Sequence, residues 1–159
     1  RFIASLYHLP TETFDKNVNR LLDLFDLTDW QSHLIESYSH GMRQKLIMTS
    51  VFMLETPTII VDEPMVGLDP KSARIVKELF KNHARIGGSI FLSTHSLELA
   101  EELFGQIAII LNGSIKAVGD METLRKEASL EKSDLEDVFL ELTEEEGLTE
   151  VISALKNMD

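Results

Sequence analysis

The first third of the chain spaces its apolar side chains three or four residues apart, as in an amphipathic helix. One such segment covers residues 11–27, with repeating apolar positions at Val18, Leu21, Leu22 and Phe25. A second covers residues 41–54 and has on one face Ile47, Val51 and Leu54. Between them, Thr28 and Gln31 have the spacing of a capping box and predict a short helix. We therefore expect a helical first third.

The middle of the chain alternates short β-branched runs with a helical pattern. Residues 58–61 and 89–93 are apolar runs with proline or glycine beside them, which is typical of buried parallel strands. Between the two runs, Asp69 and Pro70 suit the N-cap and first position of a helix, and two glycines end it. A strand–helix–strand order predicts a parallel sheet with helices on its faces. The fold class expected is α/β.

The last part of the sequence predicts a β-hairpin followed by helices. Residues 107–111 and 114–118 read as strands separated by Asn-Gly, the strongest two-residue hairpin signal. Ser133 and Glu136 have capping-box spacing ahead of a helical apolar pattern. Gly147 separates that helix from a final predicted one.

These elements divide the chain into three predicted parts. Residues 1–55 form a helical subdomain, residues 56–119 an α/β portion, and residues 120–159 a set of acidic C-terminal helices. The net charge is −12, and residues 120–159 hold 13 acidic but only 4 basic side chains. An acidic segment repels phosphate backbones, so nucleic-acid binding through it is disfavoured, and a solvated surface is the simpler interpretation.

Composition narrows the class of protein further. A hydrophobic content of 43% suffices for a core, and no apolar run approaches the ~20 residues of a membrane helix. The absence of cysteine excludes disulfides and thiolate metal sites. The first residue is Arg1 rather than Met, so we expect further sequence to precede it.

Two adjacent carboxylates, Asp62 and Glu63, directly follow the first predicted strand. In open parallel sheets, ligands gather at the carboxyl ends of the strands. Asp62 could hold a hydrated magnesium ion, which prefers carboxylate and phosphate oxygens, and Glu63 could act as general base on a water. A strand end that becomes polar where it meets solvent would have the same residues. The carboxylate pair alone therefore does not distinguish a functional site from a solvated strand end.

His95 follows the second predicted strand, 32 residues after Glu63. If the strands are parallel, their carboxyl ends open on the same edge, which predicts that His95 lies near Glu63. A neutral imidazole there could hydrogen-bond a phosphate oxygen. A histidine that satisfies backbone groups at a helix start is the alternative.

Ser39 and Gly41 lead directly into the second long predicted helix. Free N–H groups and the positive end of the helix dipole make such a start an anion site. An ordinary serine N-cap is the alternative. The helix is about 21 Å long, which suggests an anion site separate from the one near Glu63. Two half-sites for one phosphate group suggest a dimer.

Read in order, the chain contains YSHGMRQKL, TIIVDEP, VGLDP and STHS. This series resembles the nucleotide-binding domain of ABC transporters, and the match covers most of the chain. In that family the four segments correspond to the signature motif, the Walker B strand with its catalytic glutamate, the D-loop and the switch histidine. The hairpin and the later SDLEDVFLELT resemble the end of this domain in ATPases that pair with a separate membrane permease.

The resemblance implies part of a P-loop NTPase-type parallel sheet, with a helical subdomain and a C-terminal β-hairpin plus helices. There are departures from the family pattern. The signature is usually Leu-Ser-Gly-Gly-Gln, whereas Tyr38, His40 and Met42 occupy its first, third and fifth positions here. No G-x-x-x-x-G-K followed by S or T occurs in the sequence, and the family has this phosphate loop upstream of the segments found here.

The same resemblance implies roles for individual residues in a pair of domains that sandwich two ATP molecules. Glu63 would polarise the attacking water, His95 would hold the γ-phosphate, and Asp62 would support Mg²⁺. Contacts with the ATP of the opposite domain would come from Ser39, His40, Gly41 and Met42. Asp69 would link the two sites across the interface.

The implied partners are a membrane permease, received by the helical first third, and a second nucleotide-binding domain, in a homodimer. The implied location is cytoplasmic, peripheral to the inner face of the cell membrane. Residues 1–159 alone should neither bind nor hydrolyse ATP, because the phosphate loop is missing. The chief rival is a soluble ATPase of the same superfamily that acts on ribosomes or DNA, which the acidic tail disfavours. Four motifs in order also disfavour a non-catalytic module with coincidental helix caps.

Overall fold

A computed structural model describes residues 1–143 of the chain, so the predicted helix after Gly147 lies outside the described residues. Two compact units meet in the sequence between Thr94 and His95. Helices and β-strands alternate as expected, and the predicted α/β class is confirmed. The division of the sequence into three functional parts stays a prediction.

The first unit begins with helices. They are α1 (Phe2–Leu6), α2 (Thr11–Leu24) and α3 (His40–Phe52). An α/β segment follows, made of β1 (Thr58–Asp62), α4 (Pro70–Arg85) and β2 (Ser89–Ser93). One core cluster of this unit joins α1, α2 and the end of α3 through Ala4, Phe14, Leu21 and Met53. The predicted amphipathic pattern of α2 thus provides a packed face.

Only part of the face predicted for α3 is packed, since Leu54 lies against the core cluster described above but Ile47 does not. Ile47 is 50% exposed, whereas Met48 and Thr49 are buried. Thr49 tolerates burial because its hydroxyl donates to the carbonyl of Lys45 at 2.9 Å, four residues earlier. A hydrophobic pattern counts threonine as polar and therefore misses this rotation of the helix.

β1 and β2 pair in parallel, from Thr58 opposite Ser89 to Asp62 opposite Ser93. This pairing is the one predicted, and within this chain the strands are covered on one face. Ile59 and Val61 of β1 are buried, while Ile60 is 76% exposed and its partner Phe91 is 66% exposed. An apolar run does not distinguish one buried face from two, because burial depends on which elements cover the strand.

The second unit is built around a hairpin. Its elements are α5 (Leu97–Leu103), β3 (Ile107–Leu111), β4 (Ser114–Gly119), α6 (Met121–Glu127) and α7 (Leu135–Leu142). Asn112 and Gly113 join the antiparallel strands with φ angles of 51° and 75°, so the predicted hairpin is confirmed. Its core cluster comprises Ile109, Ala117, Leu124, Ala128, Leu135 and Val138.

Two predicted capping boxes behave differently from expectation. The short helix predicted at Thr28 is a single 3₁₀ turn that ends at Trp30, but its N-cap is Leu27 and no side chain caps it. The cap of α7 is Asp134, whose carboxylate accepts from the N–H of Asp137 at 3.0 Å. Ser133 stays outside the helix, with its carbonyl accepting from Arg125 Nε at 2.6 Å. Adjacent capping residues compete, and a tertiary contact decides between them.

The start of α4 follows the sequence closely. Asp69 is the N-cap and Pro70 is the first helical residue. The Asp69 carboxylate accepts from Ser72 N at 2.9 Å, from Ser72 Oγ at 2.7 Å and from Lys45 Nζ at 2.9 Å. The Lys45 hydrogen bond, followed by the Ser72 contacts, holds the pKa of Asp69 well below its usual range.

We expect Asp69→Ala to lower the free energy of unfolding by about 1–2 kcal/mol at neutral pH, because α4 loses its cap. Since the folded state lowers the pKa of Asp69, its stabilisation is present above the unfolded value of about 4 and is lost as pH falls. Denaturant titrations of the parent and Asp69→Ala should therefore converge in acid. A difference that stays constant below about pH 4 would contradict the ionic contribution.

Candidate active site

The carboxyl ends of β1 and β2 bring four polar side chains to one edge of the strand pair. Asp62 lies opposite Ser93, whose hydroxyl donates to Asp62 Oδ1. One residue further along each segment, Thr94 Oγ1 donates to Glu63 Oε2 at 3.1 Å. The predicted carboxylate pair therefore lies where a parallel sheet presents ligands.

Glu63 has an unusual backbone conformation, with a φ of 46° in the left-handed region. Its N–H donates to the carbonyl of Ser93 at 2.9 Å, which extends the parallel pairing one residue beyond β1. Its carbonyl accepts from Gln44 Nε2 at 3.5 Å, and the same amide donates to the carbonyl of Pro64 at 3.0 Å. A non-glycine residue stays in this region when surrounding contacts fix it there, which is frequent at active sites.

The start of α3 has the features of an anion site. Ser39 is the exposed N-cap, and its hydroxyl accepts from Met42 N at 3.2 Å. The preceding Tyr38 is buried and donates its hydroxyl to the carbonyl of Trp30 at 2.8 Å, which anchors the approach to the helix. Residues 40–43 include no carboxylate, so the positive end of the helix dipole is not neutralised there.

The same helix start rests directly on the loop that follows Glu63. A Cβ atom on Gly41 would lie 2.7 Å from the carbonyl oxygen of Gly67, closer than any side chain allows. A Cβ atom on Gly67, whose φ is 78°, would lie 2.2 Å from Cδ2 of His40. The absence of a side chain at both glycines therefore lets the start of α3 pack directly against the loop after Glu63.

Side chains from the next turn of α3 strengthen this contact. Gln44 binds the carbonyls of Glu63 and Pro64 at the beginning of the loop. Lys45, mostly buried, pairs with Asp69 at the end of the loop at 2.9 Å. Helix α3 therefore holds both ends of the segment 63–69.

The residues named from the sequence fall into two groups. Asp62 and Glu63 share a strand edge, while Ser39, His40, Gly41 and Met42 form the α3 start beside the loop that ends in Asp69. His95 is exposed and opens the second unit, so its closeness to Glu63 stays a prediction. The contacts of four further side chains were not predicted from the sequence, namely those of Gln44, Lys45, Ser93 and Thr94. For the last two, their place at the end of the second predicted strand was an available signal.

The strand edge suits magnesium in its donor chemistry. Asp62 is exposed and provides carboxylate oxygens beside the Ser93 hydroxyl, and magnesium prefers oxygen ligands. Within residues 1–143, no group of three or more His, Asp or Glu side chains could hold a metal ion. A magnesium ion at Asp62 would therefore take most of its ligands from water and phosphate, which is its usual habit.

Within residues 1–143, no helix has both the length and the apolarity needed to span a bilayer.

Comparison with known proteins identifies the family. The family model described as "AAA domain, putative AbiEii toxin, Type IV TA system" matches residues 12–101, more than half of the chain. The ABC-type transporter ATP-binding protein EcsA of Bacillus subtilis (strain 168) is 33% identical over 144 residues, 91% of this chain and 58% of that protein. The daunorubicin resistance ATP-binding protein DrrA3 of Streptomyces coeruleorubidus is 29% identical, over 82% of this chain and 41% of that protein.

Solved structures agree with the sequence relatives. A structure described as the ATP-binding subunit of an ABC transporter is 34% identical, with a TM-score of 0.86 over 90% of this chain and 60% of that one. The chain thus spans about 58–60% of the length of these two relatives. From the family match the chain belongs to the AAA-domain family, and the relatives and the shared fold place it among the ATP-binding domains of ABC transporters.

Proposed function

We propose that this chain carries the hydrolytic residues of an ABC transporter ATPase, which binds and hydrolyses ATP to power a separate membrane permease. The observation that carries the proposal is the strand edge where Asp62, Glu63, Ser93 and Thr94 meet, next to the anion-site start of α3. EcsA, which is named as an ABC-type transporter ATP-binding protein, supports the transport role.

Glu63 is the residue best suited to activate water. Its carboxylate is half-buried and accepts from Thr94 Oγ1, while its main chain is fixed by Ser93 on one side and Gln44 on the other. A carboxylate held in this way keeps a constant direction and can take the proton of a water as it attacks the γ-phosphate. His95 is the proposed partner that contacts this phosphate.

Asp62 is the proposed magnesium residue. Bound there, Mg²⁺ would supply positive charge that offsets the charge developing on the ATP phosphates. Asp62 itself contributes one carboxylate, which its neighbour Ser93 orients through a hydrogen bond. This arrangement resembles sites where magnesium is held by one or two carboxylates plus the substrate.

The α3 start is the proposed contact with a second nucleotide-binding domain, in a homodimer. Ser39 and Gly41 would bind the γ-phosphate of the ATP held by the opposite domain, and the neighbouring His40 and Met42 would contact the same nucleotide. The exposed serine cap and the positive helix end support this role. Asp69 would link the two sites, because it ends the loop that begins at Glu63 and pairs with Lys45 of α3.

Helix α1 is the proposed contact with the permease, at the cytoplasmic inner face of the cell membrane. Phe2 and Leu6 are 77% and 61% exposed and lie four residues apart, so they face the same side of the helix. Exposed apolar side chains at helical spacing are typical of helix docking surfaces.

In the full-length protein, Glu63→Gln should lower ATP turnover by about 100-fold or more, because the amide cannot take a proton from water. Nucleotide affinity should change little, since the substitution preserves the shape of the side chain. The measurements are phosphate release and ATP titration, with Glu12→Gln at an exposed position of α2 as a control for charge. Turnover close to that of the parent would show that Glu63 is not the base.

Residues 1–159 alone should bind ATP negligibly and show no turnover, because their sequence lacks the loop that surrounds the phosphates with N–H groups and a lysine. Calorimetric titration of this chain with Mg-ATP should show no binding in the micromolar range. Micromolar affinity would contradict the expectation and would point to a nucleotide site built from the residues present.

The double substitution Phe2→Ala and Leu6→Ala should reduce copurification of the full-length protein with its membrane permease, because it removes exposed apolar surface from α1. Ile86→Ala is the matched control, since Ile86 is 68% exposed and lies after α4. Recovery of ribosomes or DNA in place of a permease would favour the soluble-ATPase alternative.

A further inference from the structure

Gln44 is the α3 side chain that reaches the backbone on both sides of the Glu63–Pro64 peptide bond. Its Nε2 group donates to the carbonyl of Pro64 at 3.0 Å and, more weakly, to that of Glu63 at 3.5 Å. Gln44 is half-buried and 19 residues from Glu63 in sequence, so these are tertiary contacts. One amide group therefore anchors the turn that carries the proposed base.

This turn needs an anchor because of its backbone conformation. Glu63 has a φ of 46°, a sparsely populated region that a non-glycine residue keeps only when its surroundings fix it there. The Glu63 N–H is fixed by the Ser93 carbonyl at 2.9 Å, but that contact restrains only the strand side of the residue. The Gln44 amide restrains the other side, at the two carbonyls that follow.

We propose that Gln44 is a positioning residue for ATP hydrolysis: its side-chain amide holds the Glu63 backbone in the left-handed conformation that aims the Glu63 carboxylate. This inference rests on the proposed function of Glu63 as general base. Gln44 itself touches neither water nor nucleotide in this role.

The position of Gln44 on α3 gives the contact a second consequence. Ser39 and Gly41 begin the same helix about one turn earlier, and Gly41 lies against Gly67 of the loop. An anion bound at the α3 start would therefore act on a rigid helix whose next turn holds Glu63. Gln44 links the proposed site for the opposite domain's ATP to the base of its own domain.

The test compares Gln44→Met with the parent in the full-length protein. Methionine preserves the length and packing of the side chain but has no N–H donor. We expect kcat to fall by about 10- to 100-fold, because a misaimed base loses this much, while KM for ATP changes by less than about 2-fold. Gln31→Leu, at an exposed position, is the control for loss of a glutamine.

A merely structural role is distinguished by a double-mutant cycle with Glu63→Gln. If Gln44 acts through Glu63, adding Gln44→Met to Glu63→Gln should change the residual rate by less than about 2-fold. A structural role would lower that residual rate further, together with nucleotide affinity and thermal stability. If Gln44→Met folds poorly, Gln44→Glu provides the second test. This variant keeps the shape of the side chain but replaces the N–H donor with an acceptor, and it should lower kcat in the same way.

Each outcome has one meaning. Parental kcat in both Gln44 variants, with Glu63→Gln inactive, would overturn the positioning role and leave the proposed function intact. Parental turnover in Glu63→Gln would overturn the proposed base and the positioning role with it. Losses in Gln44→Met that are additive with Glu63→Gln would also overturn the positioning role.

Discussion

The candidate site depends on the parallel pairing of β1 with β2. Parallel strands have their carboxyl ends at the same edge, so residues that are 31 apart in sequence, such as Asp62 and Ser93, become neighbours. A shift of one residue in this register would turn every side chain to the other face and separate the carboxylates from their hydroxyl partners. The backbone bond from Glu63 to Ser93 shows that the register is kept beyond the end of the strand.

Local signals in the sequence predicted the elements that depend on local physics. The Asn112-Gly113 turn requires two positive φ angles, which few other residue pairs allow. These two residues were therefore enough to predict the hairpin. The Asp69 cap likewise satisfies the N–H groups of its own helix and needs no distant residue to be recognised. The order of strand, helix and strand then leaves a parallel sheet as the expected arrangement.

The features that escaped prediction depend on hydrogen-bond partners and packing that a hydrophobic pattern does not record. The rotation of α3 depends on a buried threonine whose hydroxyl finds a partner within the helix, and the exposure of Ile60 depends on what covers the strand. Gln44 and Lys45 carry no sequence signal for their roles, because glutamine and lysine are common on helix surfaces. Their partners Glu63 and Asp69 lie 19 and 24 residues further along, and only the packing of α3 on the loop reveals the contact.

The close approach of Gly41 and Gly67 has a consequence for how this region varies and moves. A side chain at either position would act as a wedge, because the nearest atoms are a backbone oxygen and the ring of His40. At Gly41 the clash is with a backbone oxygen, so a side chain there would require the helix start and the loop to separate. At Gly67 the clash is with the exposed His40 ring, and the φ of 78° adds backbone strain for any other residue. Because Gly41 lies directly against the Gly67 carbonyl, a displacement of the helix start towards the loop would also displace the loop.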